Sequence, residues 1–128
     1  MVYGGSGADD MKRTIDVNGV AVDFAVSAAL PRLYRLQCGR DIFRDMQAVA
    51  GAVSAKFEAR EADIPLEVLT IYENLAYCMA YAAHPDTTPE SAEAWLDTLP
   101  ALPIMSIFPK IELLWLQNLA QLETPAKK

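Results

Sequence analysis

Four arginines and two aspartates fall within the sixteen residues PRLYRLQCGRDIFRDM at 31–46, where Arg32, Arg35, Arg40 and Arg44 alternate with Asp41 and Asp45. Pro31 opens a helix, because its missing N–H and fixed φ suit the first turn. Gly39 closes one by taking a positive φ. Two helices therefore meet at a corner, with Asp41 at the positive N-terminal end of the second and the arginines around the joint. Charges so placed form either a partner surface or an ordinary salt-bridged, solvated corner.

Elsewhere the chemistry-bearing residues are sparse. Cys38 and Cys78 are the only cysteines and belong to no Cys-x-x-Cys pair, so they read as buried thiols rather than a zinc or redox motif. The single histidine, His84, sits in a proline-bounded loop, and no glutamate precedes it at the spacing of a di-iron helix. Glu58 with Glu61, and Glu90 with Glu93, lie on faces expected to be wet. There is no phosphate loop, dinucleotide fingerprint or nucleophile elbow. Neither an enzyme reading nor a cofactor or metal site has residues to rest on.

The elements that would position these groups follow from periodicity. Residues 1–10 carry three glycines and no apolar pattern, and read as a flexible leader. Ile15 and Val17 alternate with polar neighbours, Asn18-Gly19 supplies a type I′ turn, and Val20, Val22, Phe24 and Val26 alternate again, which marks a hairpin with one apolar face. A lone hairpin is marginal in water, so that face must rest on the helices or on another copy's strands.

The first helix starts at Ser27 or at Leu30. After Gly39, Ile42, Met46, Val49, Val53 and Phe57 predict a helix of about 19 residues with one apolar stripe. Asp63 is placed to cap a third helix, which holds Pro65 in its first turn and runs to about Ala83. It is apolar on most sides (Leu66, Leu69, Ile71, Tyr72, Leu75, Ala76, Met79) and therefore central. Glu67, Thr70 and Asn74 form its polar stripe. Tyr77 and Tyr81 continue that stripe, either as exposed aromatics for a partner or packed on a neighbouring segment.

Thr88 is expected to cap a short helix beginning at Pro89. Ser106 is expected to cap a last one, with Pro109 in its first turn and Ile107, Ile111, Leu114, Trp115, Leu119 and Leu122 on its apolar face. Residues 123–128 read as a solvated tail. The predicted fold is mainly α (α+β), an N-terminal β-hairpin followed by about five helices in one small domain over residues 11–122.

Composition is consistent with this. Of 128 residues, 52% are hydrophobic and 22% charged, the balance of a folding chain rather than a disordered one. No apolar run approaches the roughly 20 residues of a membrane span, and the N-terminus has no signal-peptide pattern, so a soluble intracellular protein is expected. The net charge is −6, adverse to nucleic-acid binding through phosphates. Residues 11–57 hold seven Lys/Arg against four Asp/Glu, while 58–123 hold two against eleven. Such asymmetry favours protein contacts, within one chain or between copies.

The order and spacing of these segments resemble the tail assembly chaperones of tailed bacteriophages and prophages of Gram-positive bacteria. The resemblance rests on the Asn18-Gly19 hairpin, PRLYRLQCGRDIFRDM, IYENLAYCMAYAAHPD at 71–86, AWLDTL at 94–99 and PIMSIFPKIELLWLQNL at 103–119. It covers residues 11–128. The chain departs from the family pattern at Leu30, where a capping threonine is usual, and in its leader.

The resemblance implies a non-enzymatic helper in the bacterial host cytoplasm. Such a helper binds the tape measure protein, keeps it soluble, brings tail tube (major tail) protein subunits to it, self-associates and is absent from the mature virion. On that basis the partner-binding set is Arg32, Tyr34, Arg35, Arg40 and Arg44 with Tyr77 and Tyr81. A structural tail component, tube or connector, is the alternative, and a small helical transcription regulator a weaker one because Asp41 and Asp45 interrupt the basic helix.

Overall fold

The computed structural model describes residues 12–49 and 65–123. A two-stranded antiparallel hairpin is followed by five helices, a small α+β domain as expected. Strand β1 spans Lys12–Val17 and β2 Val20–Ala25, in an unbroken register from Lys12↔Ala25 to Val17↔Val20. Asn18 and Gly19 take φ of 53° and 94°, the type I′ geometry that the Asn-Gly pair favours. The apolar face of the hairpin, Ile15, Val17, Phe24 and Val26, is buried on the helices of the same chain.

Helix α1 spans Leu30–Cys38. Its N-cap is Ala29, with no side-chain cap, and Ser27 Oγ instead accepts the Ala29 N–H just before the helix. Gly39 ends it at φ 69°, its N–H bonded to the Arg35 carbonyl at 2.8 Å. Helix α2, Ile42–Ala48, starts at Asp41, whose Oδ1 accepts the Phe43 N–H at 2.9 Å. The expected long helix is described only to Ala48. Gly51, Val53, Phe57 and Asp63 lie outside the described residues, as do the leader and residues 124–128.

Helix α3, Leu66–Ala83, is the central element, in contact with β2, α1, α2 and the two helices that follow. It begins after Pro65, which is in extended backbone and precedes the helix instead of joining its first turn. Leu66, expected on the apolar side, is 77% exposed because it projects from the first turn beyond the core.

Three further expected helix boundaries differ. Helix α4 spans Ala92–Leu96 and is capped by Ser91 Oγ on the Ala94 N–H at 3.1 Å. Thr88 lies three residues before that cap, and its hydroxyl donates to the Ala80 carbonyl, which pins the loop to the end of α3. Helix α5 runs over Ile104–Glu123, so Ser106 lies inside its first turn and Pro109 is an interior residue. Glu123, expected in the tail, is helical.

One apolar core joins every element. Tyr72 of α3 stacks on Phe108 of α5 with centroids 5.0 Å apart, and Trp95 of α4 meets both Phe24 and Tyr77. Among the described residues no helix is long and apolar enough to cross a membrane.

Candidate functional site

The arginine corner divides into a structural part and an exposed part. Asp45, on the buried face of α2, is 3% exposed. Arg40 grips it with two hydrogen bonds, Nε to Oδ2 at 2.6 Å and a terminal nitrogen to Oδ1 at 2.8 Å, while the Tyr34 hydroxyl donates to Oδ2 at 2.8 Å. A forked guanidinium satisfies both carboxylate oxygens at once, and that geometry makes burial of the charge tolerable. The Arg40 hydrogen bonds hold the Asp45 carboxyl below its usual range, and burial together with the Asp45 bond pushes the Tyr34 hydroxyl up.

The expected partner residues differ in how much surface they present. Tyr34 is fully buried and serves the α1–α2 corner, so it has no surface to present. Tyr77 is also in the core, 1% exposed, and its hydroxyl donates to the Pro89 carbonyl at 2.7 Å. That contact staples the 84–91 loop onto α3, and burial raises the hydroxyl's pKa to about 12. Tyr81 is partly buried, its ring 6.0 Å from that of Tyr77. Arg32, Arg35 and Arg44 are exposed on α1 and α2.

The remaining sequence candidates are placed as follows. Cys38 and Cys78 are free thiols with their sulfurs 3.8 Å apart between α1 and α3. Cys78 is buried and Cys38 partly so. The hydrogen bond between them, with burial, pushes the Cys78 thiol up. His84 is exposed, as its loop position implied, but its Nε2 lies 2.8 Å from Asp23 Oδ2. The Thr14 hydroxyl donates to the other oxygen of Asp23.

A hydroxyl, a carboxylate and an imidazole are therefore joined. However, the hydroxyl meets the carboxylate and not the imidazole, so the base has no nucleophile to deprotonate. The set instead ties β1 and β2 to the C-terminal end of α3. Among the described residues, no group of three His, Cys, Asp or Glu side chains stands close enough to hold a metal ion.

A surface feature missing from the sequence expectations is a groove of about 360 Å³ between α2 and α5, lined by Phe43, Met46, Gln47, Glu112, Trp115, Leu116 and Leu119. Among the described residues Phe43 is 49% and Leu116 50% exposed, and the Phe43 ring lies 5.4 Å from that of Trp115. Two large apolar side chains are thus left half in water side by side. The signal was present in the sequence. Phe43 and Leu116 fall off the apolar stripes of their own helices, so they cannot face the core with Ile42 or Leu114.

No family model, no curated protein and no solved structure matches this chain.

Proposed function

We propose that this chain is a tail assembly chaperone of a tailed bacteriophage or prophage. In this reading it binds the tape measure protein in the host cytoplasm, keeps it soluble, helps recruit tail tube subunits and leaves before the virion is complete. It acts by reversible binding, not by covalent chemistry. The ordered motifs from the Asn18-Gly19 hairpin to PIMSIFPKIELLWLQNL motivate the reading.

The observation that carries it physically is the α2–α5 groove. A tape measure protein is a long helical chain whose apolar stripes aggregate unless covered. A shallow apolar groove takes such a stripe through anchors at helical spacing. Phe43 and Leu116 supply exposed apolar surface, and Arg44 beside Phe43 on α2 supplies a charge for the polar flank of the incoming helix.

Coexpression with the tape measure protein encoded in the same genome tests the proposal. Wild type is expected to keep that protein in the soluble fraction and to copurify with it. Phe43→Asp with Leu116→Asp, both at exposed positions, is expected to remain folded by circular dichroism and to lose both effects. A tape measure protein that stays insoluble beside folded wild-type chain would overturn the assignment.

A further inference from the structure

In the N-terminal hairpin, β2 is the strand that lies along α3, and β1 is the outer one. Residues flanking a two-residue type I′ turn exchange both of their backbone hydrogen bonds, so Val17↔Val20 is a bonded pair. Alternation then makes Ile15↔Val22 and Arg13↔Phe24 the next ones. The N–H and C=O groups of Lys12, Thr14 and Asp16 consequently point away from β2, toward an edge on which no other strand lies among the described residues. The side chains of the same three residues are exposed. The strand has no proline, and its one-to-one register has no bulge, so two of the usual devices that blunt an edge are missing.

We propose that β1 pairs antiparallel with β1 of a second copy of this chain, about a two-fold axis through Thr14, to form a four-stranded sheet of order β2-β1-β1-β2. The strand is self-complementary in that register. Thr14 faces Thr14, Lys12 faces Asp16 of the second copy, and Asp16 faces its Lys12. All three pairs are of the hydrogen-bonded kind, because every one of these residues has its backbone groups turned outward. Opposite charges directly across a strand pair stabilise it, and Thr–Thr is a favourable cross-strand neighbour.

Asp16 uses Oδ1 for the Gly19 N–H of its own turn and has a second oxygen for the incoming lysine. On the other face, Arg13 lies opposite Ile15 of the second copy, where its aliphatic stem covers the apolar side chain. Sliding the strands by one residue points inward-bonded groups at the edge. Sliding each by two breaks both Lys12–Asp16 pairs. The pairing stands apart from the functional reading above, which is built on α2 and α5.

Light scattering coupled to size exclusion, on the full chain over a concentration series, is expected to give twice the mass of one chain. Thr14→Pro removes an N–H that the hairpin does not use, together with the hydroxyl that donates to Asp23, and is expected to fold and to run as a monomer, while Thr14→Val, which loses the hydroxyl alone, is expected to stay a dimer. K12E and D16K each place two like-charge pairs across the axis and are expected to raise the dimer dissociation constant at least about tenfold.

An equimolar mixture of K12E and D16K places opposite charges at both pairs, and is expected to recover a dimer containing one of each. This arm decides the matter even if Thr14→Pro does not fold. A wild type that stays monomeric, a dimer indifferent to Thr14→Pro, or a mixture no tighter than either variant alone would overturn the proposal.

Discussion

At position 45 a carboxylate lies inside the α1–α2 corner with Arg40 and Tyr34 as its only hydrogen-bond partners among the described residues. Asp45→Ala leaves the buried Tyr34 hydroxyl without its acceptor and removes a charge-assisted pair. It is expected to lower unfolding free energy by about 2–3 kcal/mol in urea titrations. The same site gives a pH dependence of known sign. The folded carboxyl is held below its unfolded value, by Arg40 first. Its contribution is therefore complete above the ordinary carboxylate range and is lost as pH falls through the lower, folded value. Asp45→Asn is expected to flatten this acid limb of the stability profile, measured by urea midpoints from neutral pH down to pH ~2. Part of this was legible, since Asp45 shares the Ile42, Met46, Val49 face. That Tyr34 and Arg40 meet it there depends on how α1 is folded back against α2.

At the scale of elements, the sharp turn between α1 and α2 depends on Gly39 at φ 69°, a conformation that a side chain disfavours even where space is open. Gly39→Ala is expected to cost about 1 kcal/mol, read as a lower melting temperature with little change in helix content. The hairpin, Gly39 and the Asp41 cap were readable because each depends on a residue and its immediate neighbours. The caps at Thr88 and Ser106 were misread for the converse reason. Thr88 donates to a carbonyl eight residues away, and Ser106 folds back onto Pro103 within a helix already begun. A hydroxyl serves whichever acceptor the tertiary fold brings near it, and local pattern does not reveal which.

For the whole molecule, α3 is the shared wall of the core, with Tyr72, Leu75, Ala76 and Cys78 fully buried against surrounding elements. Leu75→Ala is expected to destabilise the fold by about 2–5 kcal/mol, and amides of residues 71–80 are expected to exchange slowest with deuterium, at the rate of global unfolding. Its central place could be read from a helix apolar on nearly all sides, which only burial on nearly all sides satisfies. Element types, the hairpin register and the central helix were all written in the order of residues, because periodicity and turn chemistry act over a few positions. Which tyrosines reach the surface was decided only by tertiary packing. Tyr34 and Tyr77 are amphipathic side chains that go wherever a hydroxyl partner and an apolar wall coincide, and Asp45 and the Pro89 carbonyl supply those partners from other segments. PRLYRLQCGRDIFRDM accordingly contributes a buried ionic corner through Arg40, Asp45 and Tyr34, and leaves Arg32, Arg35 and Arg44 exposed. The groove between α2 and α5 exists because these helices, distant in the chain, lie close enough for Phe43 and Trp115 to touch.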